Sequence, residues 1–322
     1  MATDYPPPLI IAPRVLPHKQ TFILLHGRGS WADKFGPVLL DTPISIPPPT
    51  GDDAPGEQPP TAQTLATAFP HARFVFPTAA RRRATIYRRA HTHQWFDNWV
   101  LEPPHAADRE ELQVPGLRET TTYLHGLLLA EIAAVPGGAA NVVLGGLSQG
   151  CAAALVALLL WEGPLLAAAI GMCGWLPFAA RLAEEAGGAR AGNSEEMEEG
   201  AVEEDDIFDR GENGDWRKVI KEEDPMARAM RWLRAELGLP ECDARVSSPG
   251  TAFQQTPVFL GHGVEDDRVN VILGRNATAC LETLGVGTIC WKEYEGLSHW
   301  YSGEMLQDLV GFVRASTKWN EM

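Results

Sequence analysis

Val142-Val-Leu-Gly-Gly146-Leu-Ser148-Gln-Gly150 is the stretch whose reading decides this chain. A β-branched apolar run enters a G-x-S-x-G string, and Cys151-Ala-Ala-Ala-Leu-Val-Ala-Leu158 follows with helix-forming residues. A buried strand that turns sharply into a helix throws the serine hydroxyl clear of the backbone. Side chains two residues to either side would collide there, which accounts for Gly146 and Gly150. The backbone N–H of Gln149 then faces any negative charge developing on a reacting carbonyl, helped by the helix N-terminus.

The flanking chain has the alternation such a turn requires. Thr21–Leu25, Arg73–Phe76, Asn141–Leu144, Leu165–Met172, Pro257–Leu260 and Thr288–Tyr294 read as buried strands. Helical stripes lie between them: Leu117, Leu124, Leu128 and Ile132; Leu273, Ala277, Cys280, Leu281 and Leu284, closed by Gly285; and Leu306, Leu309, Val310 and Val313. The expected fold class is α/β, a mostly parallel, doubly wound sheet with helices on both faces. Chain 1–322 is read as one domain carrying two insertions. The first, at about 41–60, holds seven prolines; the second, at about 180–250, is acidic, with a short helix near Met226–Leu237.

A serine nucleophile needs a base, and the base needs an orienting acid. Two histidines follow Ser148, His262 and His299. His299 lies between the last strand and the last helix, on a loop that can reach over the sheet. The loop after strand Pro257–Leu260 supplies Glu265, Asp266 and Asp267. Spacing does not choose among the three. A second amide donor is expected from the turn His26-Gly27-Arg28-Gly29 after the first strand, at Arg28. The turn lacks the lysine and spacing of a phosphate-binding loop.

The formal charge is −15, with 45% hydrophobic residues. That composition excludes global disorder, and the acidity argues against nucleic acid as a partner. Residues 184–224 hold sixteen acids against five bases, so the rest of the chain is near neutral and transient membrane contact stays open. Five cysteines without a C-x-x-C spacing read as free thiols of a reducing compartment, the cytoplasm first and the nucleus second. The N-terminus is a poor signal peptide. Glu162-Gly-Pro164 splits the apolar run 151–172 into a helix and a strand too short to span a membrane. Asn276-Ala-Thr278 matches a glycosylation sequon but lies in a helical pattern.

Taken in order, Leu25-His-Gly-Arg-Gly-Ser30, Trp95-Phe-Asp97, Gly145-Gly-Leu-Ser-Gln-Gly150, Cys173-Gly-Trp-Leu-Pro177, His262-Gly-Val-Glu-Asp-Asp-Arg-Val269 and Tyr294-Glu-Gly-Leu-Ser-His299 resemble the acyl-protein thioesterases. These belong to the phospholipase/carboxylesterase group of α/β-hydrolases. The resemblance covers about 10–178 and 256–315. It implies Ser148 as nucleophile, His299 as base and Asp266 as acid, the last through a G-x-x-D-x-x-V pattern at Gly263–Val269. Arg28 and Gln149 become the oxyanion donors. S-acylated proteins or small acyl esters become the substrates, with no metal or cofactor. Oligomeric state stays open. A broad carboxylesterase or lysophospholipase is the alternative enzyme, and a non-catalytic acyl-binding protein the alternative of another class.

The chain departs from the family pattern at Arg28, where an apolar residue is usual, and at Ser30, where aspartate is. Cys151 replaces a glycine and Asn270 a proline. Trp95, Phe96, Trp99, Trp175 and Leu176 are candidates to line an acyl-chain channel, against plain core packing. Arg81–Arg83 with Arg88-Arg89 reads as a solvated basic loop, and His91-Thr-His93 as a weak metal signal.

Overall fold

The computed structural model describes residues 4–44, 63–103, 107–187, 224–241, 251–317 and 319. Its centre is a seven-stranded sheet. The strands are β1 (Leu9–Ile11), β2 (Gln20–Leu25), β3 (Ala72–Phe76), β6 (Val142–Leu147), β7 (Ala168–Met172), β8 (Val258–Gly263) and β9 (Ile289–Tyr294), in the spatial order β1-β3-β2-β6-β7-β8-β9. All neighbours pair in parallel except β1, which runs antiparallel to β3. A separate hairpin joins β4 (Arg81–Ala84) to β5 (Ala90–His93).

Period-two alternation explains the two cores. Along β2, Phe22 and Leu24 face one side, while Ile23 and Leu25 face the other. Val143 against Val142 and Leu144 does the same on β6, and Phe74 and Phe76 against Val75 on β3. A parallel strand covered on both faces must be apolar at nearly every position, hence the continuous runs in the sequence. On the first side pack α1 (Ala32–Asp41), α2 (Leu65–Ala68) and α9 (Gly303–Ser316). On the second pack α3 (Gln113–Ala134), α4 (Gln149–Leu159), α5 (Ala179–Glu185), α6 (Pro225–Glu236), α7 (Thr251–Gln255) and α8 (Val271–Thr283). Gly285, at φ +82°, ends α8 where the sequence placed its cap. Among the described residues no helix is long and apolar enough to cross a membrane.

Several expectations need correction. The edge strand β1 was not anticipated; its flanking prolines are tolerated because an edge strand of three residues needs few ladder donors. Helix α1 forms despite Pro37 in its interior, since Phe35, Leu39 and Leu40 bury against the sheet. The basic loop is the β4–β5 hairpin, with Arg88 and Arg89 in left-handed conformation at its turn. Arg82 leaves solvent to pair with Glu119 at 2.6 Å and to donate to the Tyr5 hydroxyl at 3.1 Å. The second insertion is narrower than 180–250. Leu182 of α5 and Ala229, Met230 and Leu233 of α6 are buried in the core that α8 completes. The expected helix near Met226–Leu237 is α6, capped by the Asp224 carboxylate on the Met226 N–H. Residues 188–223, which hold most of the acidic segment, and 45–62 of the proline-rich one lie outside the described residues.

Candidate active site

Ser148 sits between β6 and α4 at φ 56°, ψ −121°, a strained conformation for a residue with a side chain. Its amide donates to the Met172 carbonyl at 2.8 Å, fastening the turn to β7. A Cβ on Gly146 would lie 2.7 Å from the Leu25 carbonyl oxygen, and one on Gly150 only 2.5 Å from it. Both glycines are therefore fixed by the close approach of β2, as the sequence argument required.

His299 follows β9 on a loop that ends where Ser302 caps α9 by accepting from the Met305 N–H at 3.1 Å. Its Nε2 lies 2.9 Å from Ser148 Oγ, and its Nδ1 2.7 Å from Asp266 Oδ2. The carboxylate accepts the Nδ1 proton, so Nε2 carries a lone pair toward the serine hydroxyl. The structure separates the three competing acids. Asp266 is buried, whereas Glu265 and Asp267 are exposed. The Asp266 Oδ1 accepts from the amides of Arg268 and Val269, both at 2.9 Å, which closes the loop around the carboxylate. Burial by itself would raise its pKa. Hydrogen bonds from His262, His299 and the Val269 amide, with the imidazole charge, outweigh burial and hold the carboxyl well below the usual range. His262 is buried, with Nε2 donating to the Val269 carbonyl at 2.7 Å and standing 3.3 Å from Asp266. It thus supports the acid rather than competing with His299.

The turn after β2 comes up to the same serine. A Cβ on Gly27 would stand 3.4 Å from Ser148 Cβ, and Arg28 and Gln149 both line the cavity that holds Ser148. Gln149 opens α4, so its amide has no acceptor one turn back along the helix. His26 is buried and holds the turn. Its Nδ1 donates to the Gly27 carbonyl at 2.7 Å, and its Nε2 accepts from the Ala79 N–H at 3.0 Å. Burial pushes its pKa down to about 4, with smaller influences from the Gly27 bond and from His93.

Sequence reasoning missed the residue that ties these parts together. Asn98 is buried; its Oδ1 accepts from Arg28 Nη1 and from Gln149 Nε2, each at 3.0 Å. Gln149 also accepts from the Trp95 amide at 2.9 Å and donates to the Phe96 carbonyl at 2.7 Å. The segment Trp95–Asn98 is thereby stitched to both candidate oxyanion residues. The Trp95-Phe-Asp97 string flagged the segment, but no spacing rule marks its neighbour Asn98.

The cavity over Ser148 has a volume of about 1070 Å³. Trp175 lines it; Trp95 and Leu176 do not. Trp95 is fully buried, its indole N–H donating to the His26 carbonyl at 2.7 Å, and Leu176 packs in the core on the α4 side. They are core residues, because α/β packing leaves them facing inward. Trp99, also a channel candidate, lines the wall, together with Trp300 and Tyr87, which the channel reading did not name. Two departures from the family pattern find their fit here. Cys151 projects toward Gly171 and Gly174, where a Cβ on either would meet its Sγ at 2.4 Å. Asn270, in place of proline, caps α8 by accepting from the Ile272 N–H at 3.0 Å. His93 Nδ1 is engaged by the Ala79 carbonyl at 2.6 Å, and among the described residues no three potential metal ligands converge.

Sheet order, elbow and the loops after β8 and β9 define an α/β-hydrolase. The chain belongs to the phospholipase/carboxylesterase family, whose model matches residues 50–191 and 241–317. The interruption spans most of the acidic segment. The turn bearing Arg28 lies before the matched range, so its place beside Ser148 rests on geometry. The chain is 23% identical over 315 residues to acyl-protein thioesterase 1 of Yarrowia lipolytica, covering 97% of this chain and 99% of the relative. It is 29% identical over 268 residues to carboxylesterase SOBER1 of Arabidopsis thaliana, covering 83% and 87%. The crystal structure of Zea mays acyl-protein thioesterase 2 superposes with a TM-score of 0.59 at 20% identity, covering 96% of this chain and 98% of that one. These relatives make the family one of esterases and thioesterases.

Proposed function

We propose that the protein hydrolyses acyl thioesters and esters through a covalent acyl-enzyme, with S-acylated proteins as its principal substrates. The observation that carries this reading is the unbroken chain Ser148–His299–Asp266, at 2.9 and 2.7 Å. In the first half-reaction His299 Nε2 takes the Ser148 proton while Oγ attacks the acyl carbonyl. The amides of Arg28 and Gln149 hold the oxyanion, and Asp266 stabilises the imidazolium. His299 then protonates the departing thiolate or alkoxide. In the second half-reaction it deprotonates a water that releases the fatty acid. The relatives named acyl-protein thioesterase support the thioester. A second reading, a broad carboxylesterase, is favoured by the polar wall formed by Arg28, Asn98 and Glu102. The buried free thiols Cys151, Cys173 and Cys280 support a reducing compartment such as the cytoplasm.

Reaction with a fluorophosphonate probe tests the enzyme reading against a non-catalytic acyl-binding protein. Labelling at Ser148 is expected, and an unreactive Ser148 in folded protein overturns the proposal. kcat/KM across matched C2–C16 thioesters and oxyesters, with and without residues 188–223, then ranks the two substrate classes.

A further inference from the structure

Arg28 is held at the wall of the cavity by neutral partners. Two other partly buried arginines meet carboxylates: Arg73 pairs with Glu131 at 3.1 Å and Arg82 with Glu119 at 2.6 Å. The Arg28 guanidinium instead donates from Nη1 to the neutral Asn98 Oδ1 at 3.0 Å and lies over the Tyr87 ring at 5.1 Å. Among the described residues no carboxylate comes within ion-pair distance of it. Asn98 cannot turn away, because its Oδ1 is shared with Gln149 and its Nδ2 donates to the Trp99 carbonyl at 2.7 Å. A guanidinium carries five N–H donors in a rigid fork, and one of them is engaged here. The remaining charge is partly desolvated, oriented and uncompensated, in the wall of the cavity that contains Ser148. Such a group gains most when an anion arrives.

We propose that Arg28, braced by Asn98 and Tyr87, is an anion-recognition element, and that the preferred substrate carries a carboxylate or phosphate beside its scissile acyl bond. This deepens the proposed function and rests on Ser148 as the nucleophile. The backbone amide of Arg28 faces the oxyanion in that reading, so its own side chain sets how far the substrate's anion stands from the carbonyl. The remaining charges on the wall do not duplicate it. Glu102, Asp267 and Arg268 are exposed, and Asp266 is engaged by His299. Recognition is therefore a contact with Arg28 and not an effect of the general field of the cavity.

The test compares wild type with Arg28→Gln and Arg28→Lys on two matched pairs. Mono-p-nitrophenyl adipate against p-nitrophenyl hexanoate places the anion on the acyl side. A monoacylglycerol phosphate against the same monoacylglycerol places it on the leaving side. Wild type is expected to favour the anionic member of one pair, which identifies the side. Arg28→Gln is expected to lower that preference by roughly tenfold or more, and Arg28→Lys to retain part of it. A preference absent from both pairs, or unchanged by Arg28→Gln in protein that melts as wild type does, overturns the inference. Binding of adipate and inorganic phosphate to the Ser148→Ala protein, by calorimetry, decides it without turnover. Adding Arg28→Gln should weaken at least one of them about tenfold, and equal binding overturns it. Turnover that survives Ser148→Ala would sink the nucleophile assignment instead, and the binding result would still decide for or against Arg28.

Discussion

A Cβ placed on Gly263 would stand 2.1 Å from the carbonyl oxygen of Leu297. The loop carrying Asp266 and the loop carrying His299 thus meet backbone to backbone, with no room for a methyl group. That contact, with the Glu265 amide donating to the Leu297 carbonyl at 3.2 Å, sets the distance between the loops that bear Asp266 and His299. Gly263→Ala should push the His299 loop outward and misalign the chain of hydrogen bonds to Ser148. The expected result is a fall in kcat of roughly 10²-fold with a much smaller change in KM. Overpacking should also cost about 1–3 kcal/mol in stability. Steady-state kinetics and chemical denaturation read the two effects separately.

Exposure ranks the acids. Ser148→Ala should lower kcat by roughly 10⁴-fold or more. Asp266→Asn removes the acceptor that fixes the His299 tautomer and should cost roughly 10²–10⁴-fold. Asp267→Asn, at an exposed position outside that chain, should stay within about a factor of three of wild type, since the change lies away from the hydrogen-bonded acid. The reverse ranking in kcat/KM would move the acid to Asp267.

Two buried groups give stability a defined pH dependence. The folded-state pKa of His26 is depressed to about 4, so its neutral form stabilises the fold fully above the ordinary histidine range. That contribution should be lost as pH falls from about 6.5 toward 4. Asp266 is depressed too, so its contribution is present above about pH 4 and is lost at lower pH, as the carboxylate takes up a proton. Melting temperatures from pH 8 to 3 should fall first through the His26 window, in wild type and Ser148→Ala alike. His26→Gln should melt lower at pH 7.5 and show a shallower first slope, the remainder coming from His18 and His125, which burial also shifts down. An unchanged slope in His26→Gln would contradict the assignment.

Cys151 and Gly174 should be coupled. A methyl on Gly174 would meet Cys151 Sγ at 2.4 Å and Cβ at 2.5 Å. Gly174→Ala alone should destabilise by about 1–3 kcal/mol, and Cys151→Gly in the same chain should recover much of the loss. A double-mutant cycle in urea measures the coupling. Additive effects would show that the thiol does not fill this space.

The sequence carried much of the fold because the buried parallel strands and the elbow are local patterns. Val142–Leu147 is apolar on both faces, and Gly146 and Gly150 bracket the serine within one turn. Other features were not legible, because non-local packing outweighed local signals. Helix α1 was not anticipated: it carries Pro37 in its interior, and Phe35 and Leu39 bury enough surface to keep it. Arg81–Arg83 reads as solvated loop, yet pairing with Ala90–His93 and the Glu119 ion pair make it a strand. Leu182 and Leu233 flank an acidic segment and read as part of it, yet both belong to the core.

By itself the sequence determined the turn that presents Ser148 and the strand–helix alternation around it. Each depends on residues a few positions apart. Spacing left Glu265, Asp266 and Asp267 open and only the family pattern pointed to Asp266; the tertiary structure set Asp266 against His299, and packed Trp95 inward while Trp99 and Tyr87 line the cavity. It also placed Asn98 between Arg28 and Gln149. Those choices depend on contacts between residues 33 to 151 positions apart, as in His299 with Asp266 and with Ser148. Sequence spacing cannot encode such contacts, because the sheet brings the loops together only once every strand is in register.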